Sequence, residues 1–255
     1  TDNVKYASDI DNIAECYYSL GKYDTALILF KHSQSLRLSL LGASHIDYAE
    51  TIDNMGILYC DIGNYSESFS LLQEAKRIRQ EAKGTENVEY AKSLDNIGTY
   101  YYTTGDYKLA FPFFEQAVEI KSKVLGTMLP EYGKSVNNVA SLYNVLGEYD
   151  KALILYLEAS AINKEKLGSK HLDYGIDLNN LAMLYKKLGN YSAALPLLKE
   201  FSSICEATIG KNHPYYATSL LNLGGVYSII GNYDTALFYY LEAKEIIQDQ
   251  LGNNH

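Results

Sequence analysis

Apolar positions in this chain follow one helical face, break at a glycine, and resume on a second face. Across residues 46–84, Ile52, Met55, Gly56, Tyr59 and Ile62 keep the i, i+3, i+4, i+7 spacing of a single helix face, which predicts a helix over about 47–62. Gly63 ends it, as a residue free to adopt positive φ. Ser66 is expected to cap a second helix, with Asp24, Asp150, Ser192 and Asp234 in the same column. That helix runs to about 83, carrying Phe69, Leu72, Ala75 and Ile78 on one stripe, and closes at Gly84.

The same pattern returns every 42 residues. Its turns read Gly21-Lys22-Tyr23, Gly63-Asn64-Tyr65, Gly105-Asp106-Tyr107, Gly147-Glu148-Tyr149, Gly189-Asn190-Tyr191 and Gly231-Asn232-Tyr233. A second glycine column, Gly42, Gly84, Gly126, Gly168, Gly210 and Gly252, keeps the same step without insertion or deletion. Such a period predicts a solenoid, in which each unit buries its apolar face against its neighbours. The expected fold is all-α: one right-handed superhelical array over 1–255, built of six helix-turn-helix repeats and twelve antiparallel helices. The repeats fall at about 1–42, 43–84, 85–126, 127–168, 169–210 and 211–252. The array opens just past a linker position and stops in the next linker, with no polar capping helix, so a segment of a longer protein is expected.

Prolines and small residues refine the pattern. Pro112 and Pro196 share a column that is expected in the first turn of the second helix, where a missing N–H costs little; Pro130 and Pro214 lie in the lead-in to the first. Three columns stay small so that helices can approach: Ala14, Gly56, Gly98, Ala140, Ala182, Gly224; then Ala26, Ser68, Ala110, Ala152, Ala194, Ala236; then Ser33, Ala75, Ala117, Ala159, Phe201, Ala243. Phe201 breaks the third, so repeat five is expected to pack differently. Much of the tyrosine content, 25 residues, is columnar: the series from Tyr6, from Tyr17 and from Tyr23 each recur six times. Identity in every repeat argues for packing, with Tyr101 and Tyr143 expected to be largely buried, rather than for base stacking.

Composition narrows the function classes. A net charge of −9 argues against nucleic-acid backbones and anionic membranes as partners. Cys16, Cys60 and Cys205 form no metal or disulfide spacing, which suits a reducing, cytoplasmic setting. The Asn-Tyr-Ser triplets at Asn64 and Asn190 read as turn punctuation rather than glycosylation sites.

The columns resemble the tetratricopeptide repeat: apolar, small and tyrosine positions on the first helix (A), Gly-x-Tyr at the turn, alanine on the second (B). The linker Leu167-Gly168-Ser169-Lys170-His171-Leu172-Asp173-Tyr174-Gly175, with Leu178-Asn179-Asn180-Leu181-Ala182-Met183-Leu184-Tyr185, is similar to the 42-residue repeats of kinesin light chains and related arrays. That resemblance covers the whole chain. It implies a concave face, lined by helix A, that binds extended peptides, and it also fits arms of larger signalling or motor assemblies.

No catalytic constellation stands out, and an enzyme is not expected; nor is a cofactor. His45, His171, His213 and His255 share a linker column, but successive repeats separate them by at least an interhelical distance of ~8–10 Å, so they cannot form one metal site. On the expected concave face one column is asparagine throughout: Asn12, Asn54, Asn96, Asn138, Asn180 and Asn222. An amide both donates and accepts, so the row suits either a peptide backbone or ties between neighbouring helices. Variable positions would carry specificity: Asp11, Glu15 and Tyr18; Glu50, Asp53, Ile57 and Asp61; Lys92, Asp95, Thr99 and Tyr102; Lys134, Asn137, Ser141 and Asn144; Asn179, Met183, Lys186 and Lys187; Leu221, Ser228 and Ile229. The N-terminal half of this lining is acidic, with two tyrosines; the C-terminal half is basic, then apolar. It predicts a ligand basic toward repeats one to three and acidic or apolar toward repeats four to six.

The leading functional expectation is a non-enzymatic interaction module that binds a peptide or partner segment in its groove. The alternative is an architectural arm in a scaffold or a STAND-type signalling protein, packing on other domains. The stripe Ala236, Leu237, Tyr240, Leu241 and Ile247 on the last helix suggests end-to-end self-association.

Overall fold

The computed structural model describes residues 2–251, with side chains from 3 to 248. Gly252 and His255, members of the glycine and histidine columns, lie outside the described residues. Among the described residues there are twelve helices and no strand. They are α1 (Asp2–Ser19), α2 (Tyr23–Leu41), α3 (Ile46–Asp61), α4 (Tyr65–Lys83), α5 (Val88–Thr103), α6 (Tyr107–Leu125), α7 (Pro130–Val145), α8 (Tyr149–Leu167), α9 (Leu172–Lys187), α10 (Tyr191–Thr208), α11 (Pro214–Ile229) and α12 (Tyr233–Leu251). Odd-numbered helices are the A helices of the repeat and even-numbered ones the B helices.

The chain forms two compact units, residues 1–127 and 128–255, of three hairpins each. Within each unit, A packs on the B that follows it, B packs on the next A, and consecutive A helices touch directly. One face of each unit is therefore made by A helices, and this face carries the candidate site.

The turn between A and B places the start of B two positions earlier than the capping pattern suggested. Gly63 takes φ +81°, a conformation in which an L side chain is strained, and lets α3 stop. Helix B then begins at the tyrosine of Gly-x-Tyr, so the cap is the middle residue: Lys22, Asn64, Asp106, Glu148 and Asn190. Ser66, Asp24, Asp150, Ser192 and Asp234 stand at the second helical position, where the acids favour the positive helix end without capping it. Asn190 Oδ1 accepts from the Ala193 N–H at 3.2 Å and Asn232 Oδ1 from Thr235 at 3.3 Å.

The prolines divide. Pro130 and Pro214 are the first residues of α7 and α11, where a proline loses no bond. Pro112 and Pro196 lie deeper than expected, in the second turn of α6 and α10, where each deletes a bond to the carbonyl four residues back. Both prolines are exposed, as are Lys108 and Ser192, which carry those carbonyls, so water can satisfy them.

Inside each hairpin a small residue on A faces a large one on B. A Cβ on Gly56 would stand 2.8 Å from Leu72, and one on Gly98 would stand 2.6 Å from the Phe114 ring. Where the A position is alanine, as at Ala140 and Ala182, the hairpin clusters it with Tyr156 and with Leu198. The tyrosine columns differ in depth. Tyr90, Tyr132, Tyr174 and Tyr216 are buried, whereas Tyr6 in their column is exposed. Tyr101 and Tyr143 are only half-buried, a correction to their expected depth, and Tyr101 stacks on Phe113 at 5.6 Å.

Phe201 does change the packing of its repeat. It is buried, and the facing position on α9 is Gly175, where Ala49 and Ala91 face Ala75 and Ala117 in unit one. A Cβ on Gly175 would stand 3.2 Å from Phe201 and 3.2 Å from Ile204. The Ala–Ala pair has become Gly on A against Phe on B. Phe201→Ala should therefore cost about 3–5 kcal/mol, as for a buried aromatic. Adding Gly175→Ala to it should recover part of that loss by restoring the Ala–Ala pair. Denaturant melts of both single variants and the double variant measure the coupling; additivity within about 0.5 kcal/mol would show that the two positions are independent.

Candidate functional site

Three acids expected on the surface of the A-helix face lie beneath it. Asp11, Asp53 and Asp95 are 4%, 0% and 6% exposed, and each meets a cation from the B helix of its own hairpin. Arg37 Nη1 is 2.7 Å from Asp11 Oδ2, Arg79 Nη1 is 2.7 Å from Asp53 Oδ2, and Lys121 Nζ is 2.7 Å from Asp95 Oδ2. The same cations bridge to the next A helix: Arg37 donates to Thr51 Oγ1 at 2.9 Å and Arg79 to Ser93 Oγ at 2.6 Å. Burial pushes the Asp11 carboxyl up, against the pull of hydrogen bonds from Ser33 and Thr51 and of the Arg37 charge. These carboxylates hold the hairpins in register and do not offer bare charge to a ligand. The signal was present in the sequence: in each of the first three repeats a base follows the acid by 26 residues.

The asparagine column serves as a tie between helices. Asn54 Nδ2 donates to Glu15 Oε1 at 2.6 Å, Asn96 to Asp53 Oδ2 at 2.8 Å, Asn180 to Asn137 Oδ1 at 3.2 Å and Asn222 to Asn179 Oδ1 at 2.7 Å. Each amide thus spends a donor on the preceding A helix. Asn12 is exposed and Asn138 half-buried. What remains at the surface is smaller than the expected set. In unit one, Glu15, Glu50 and Lys92 are exposed, Tyr102 is half-buried, and the Tyr18 hydroxyl donates to the exposed Asp61. In unit two, Lys134 and Lys187 are exposed and Lys186 is half-buried; Lys187 Nζ donates to Asn144 Oδ1 at 3.0 Å.

Unit two carries a cleft of about 510 Å3 on this face. Its walls come from α7 (Glu131, Lys134, Asn137, Asn138), α8 (Asn163), α9 (Asp173, Ile176, Asp177) and α11 (Tyr215). Asp177 is 2% exposed and accepts from Asn163 Nδ2 at 2.7 Å. Burial pushes its carboxyl up to about 7; the Asn163 bond lowers it and the Asp173 charge adds to the rise. Sequence reasoning passed over Asp177 because an acid that shares its column only with Asp9, among Thr and Ser, carries no periodic signal.

The linker histidines cap helices through their rings. His45, His171 and His213 Nδ1 accept from the N–H two residues on, at 3.2, 3.2 and 3.1 Å. Asn87 does this for α5, accepting from Tyr90 at 2.9 Å. Cys16, Cys60 and Cys205 are unpaired, and burial pushes the Cys205 thiol up to about 12. Among the described residues no cluster of His, Cys, Asp and Glu could hold a metal ion, and no helix is long and apolar enough to cross a membrane.

A ladder of hairpins tied through one face defines a class of protein that recurs among known chains. Residues 6–81, 47–123, 134–207 and 178–249 match the tetratricopeptide repeat, and the chain belongs to that family. Solved structures share the fold. BtubC (BKLC) from P. vanneervenii is 20% identical, covers 93% of this chain and 93% of its own length, and superposes with a TM-score of 0.67. A putative kinesin light chain from Podosopora anserina, with nearly identical TPR-like repeats, is 22% identical over 82% of this chain and 99% of its own, at a TM-score of 0.61. Aspartyl phosphate phosphatase F from Bacillus subtilis is 15% identical over 97% of this chain and 61% of its own, at a TM-score of 0.69. No curated protein sequence matches the chain.

Two outcomes follow from this geometry. Asp53→Ala strands the buried Arg79 and should cost about 3–5 kcal/mol. Glu50→Ala, at the exposed carboxylate 3.6 Å from Arg37, should cost less than about 1 kcal/mol. Equal losses in denaturant melts would contradict the burial. Asp177 sets a pH dependence. An acid whose pKa rises on folding holds a proton that the unfolded chain has released, so stability falls as pH climbs from 3.8 to about 7. The groups facing it are Asn163 from α8, Asp173 on its own helix, and Glu131 and Lys134 from α7. Asp177→Ser should thus stabilise the protein progressively more across that window; a gain that does not change with pH would remove the carboxylate as its cause.

Proposed function

We propose that the chain is a non-enzymatic protein–protein interaction module that holds an extended partner segment along the A-helix face. Family membership supports the coarse reading, since tetratricopeptide arrays commonly bind other proteins. The observation that carries the finer one is the cleft among α7, α9 and α11, with Lys134 and Tyr215 at its walls. Its amides offer polar groups to a peptide backbone, and Lys186 and Lys187, further along α9, offer charge to acidic side chains. The buried acids of unit one leave a weaker basic preference there than the sequence suggested, carried by Glu15, Glu50 and Asp61. The unpaired cysteines support a reducing, cytoplasmic setting.

A second reading, an architectural arm packing on other domains, is favoured by Ile28, Ile154 and Phe238. They occupy one column on the B helices and are 68%, 65% and 61% exposed. A random dodecamer peptide library separates the readings. Binding to the A-helix face should weaken at least roughly tenfold in Lys134→Glu/Lys187→Glu and fade with added salt, while Ile154→Lys leaves it unchanged. Loss of binding in Ile154→Lys alone would transfer the site to the B helices. Absence of any peptide binding would overturn the groove reading.

A further inference from the structure

The junction where one B helix meets two A helices changes character along the chain. In the first two repeats it holds an internal cation, Arg37 or Arg79, paired at 2.7 Å with an acid of its own hairpin, and the third hairpin carries the like pair of Lys121 with Asp95. At the fourth junction both members of that pair are amides, Asn163 in the cation column and Asn137 in the acid column, and an acid enters from the next A helix: Asp177, in the column of Asp9, Thr51, Ser93, Ser135 and Ser219. Repeat five has Cys205 with Asn179, and repeat six Ile247 with Leu221, so the later junctions carry no charge.

Asp177 is therefore a buried carboxylate with no counter-charge: among the described residues no lysine or arginine pairs with it. An amide can donate to it but cannot neutralise it. Asn163, 5% exposed, leaves its own Oδ1 buried and without a hydrogen-bond partner. Both residues line the cleft of unit two, whose other charged members are Glu131, Asp173 and Lys134, three acids in all against one base. A buried charge without a partner and an acceptor without a donor are each costly. A cation with several N–H donors answers both at once.

We propose that this cleft takes a lysine or arginine side chain of the bound partner, its cationic end pairing with Asp177 and donating to Asn163 Oδ1. The partner would supply from outside the charge that Arg37, Arg79 and Lys121 supply from within. Its aliphatic stem would lie along Ile176 and Leu172. This rests on the A-helix face being a partner site, and it gives that site a recognition element: a basic residue, with acidic neighbours that suit the flanking Lys134, Lys186 and Lys187.

The test uses N-acetyl-lysine N-methylamide as a probe, followed through the side-chain amide signals of Asn163 and the carboxyl carbon of Asp177 by NMR. Saturable shifts in the millimolar range are expected, with the Asp177 titration moving to lower pH as probe is added. The norleucine analogue, uncharged and similar in shape, should give neither effect. Asp177→Ser, which installs the residue of repeats three, four and six, should weaken binding at least about tenfold. Asn163→Arg should do the same while raising the thermal midpoint. An equal response to the norleucine analogue, or full binding by Asp177→Ser, would overturn the proposal; should Asn163→Arg not fold, Asp177→Ser decides alone. A parallel arm compares library peptides with lysine replaced by norleucine. Peptides that bind regardless of the replacement, with no probe response, sink the lysine site and spare the module. A probe response without peptide binding does the reverse.

Discussion

Close approach of the two helices in each hairpin is the constraint on which the rest of this structure depends. It is set by a small residue on A against a large one on B, as at Gly56 with Leu72 and Gly98 with Phe114. Gly175 and Phe201 extend the rule to a neighbouring column: there too the bulk is on B and the Cβ is absent from A. With that spacing held, the turn glycine, the Gly-x-Tyr helix start and the histidine or asparagine cap of the next A helix follow at constant intervals. The chain can then repeat without insertion.

The polar interior is the second layer of organisation, and it is not uniform. The ion pairs of Arg37 and Arg79 in unit one tie three helices each, and the asparagine ladder ties A to A. These ties need not add net stability, because burying two charges costs about as much as their attraction returns. What they do is penalise slippage: a register shift would strand a guanidinium or a carboxylate away from water. In unit two the same positions pass through a lone acid to neutral and apolar residues, and registration there rests on amides and side-chain shape. The cleft of unit two lies where the internal cation has been lost. Charge used for architecture is not available for recognition, and the reverse holds as well. That trade explains why Asp11, Asp53 and Asp95 do not reach the surface.

Much of the architecture was legible in the chain. Hydrophobic periodicity places all six A helices and the ends of the B helices, because burial on one face of a helix imposes a spacing that nothing else produces. The small-residue columns and the exception at Phe201 were equally plain. The starts of the B helices were displaced by two residues, since a polar residue at the second helical position looks the same in sequence as a cap. Pro112 and Pro196 were placed a turn too early for the same reason.

The site was less legible. One-dimensional spacing assigns Asp11, Asp53 and Asp95 to the A-helix face, and they are on it; it does not say how deep they lie. Depth is decided by what arrives from the B helix 26 residues later, and an arginine there draws the acid inward. The asparagine column shows the same division: its recurrence is a property of the sequence, while its donation to the preceding helix is a property of the packed pair. Asp177 and Asn163 mark the limit. Asn163 does not recur and Asp177 recurs only at Asp9, so periodicity is silent about them, and only the fold brings them together at 2.7 Å in a shared cleft. The sequence determined which elements form and how often, because those are local and periodic. The tertiary structure decided which charges are satisfied and which are left for a partner, because compensation depends on groups far apart in the chain.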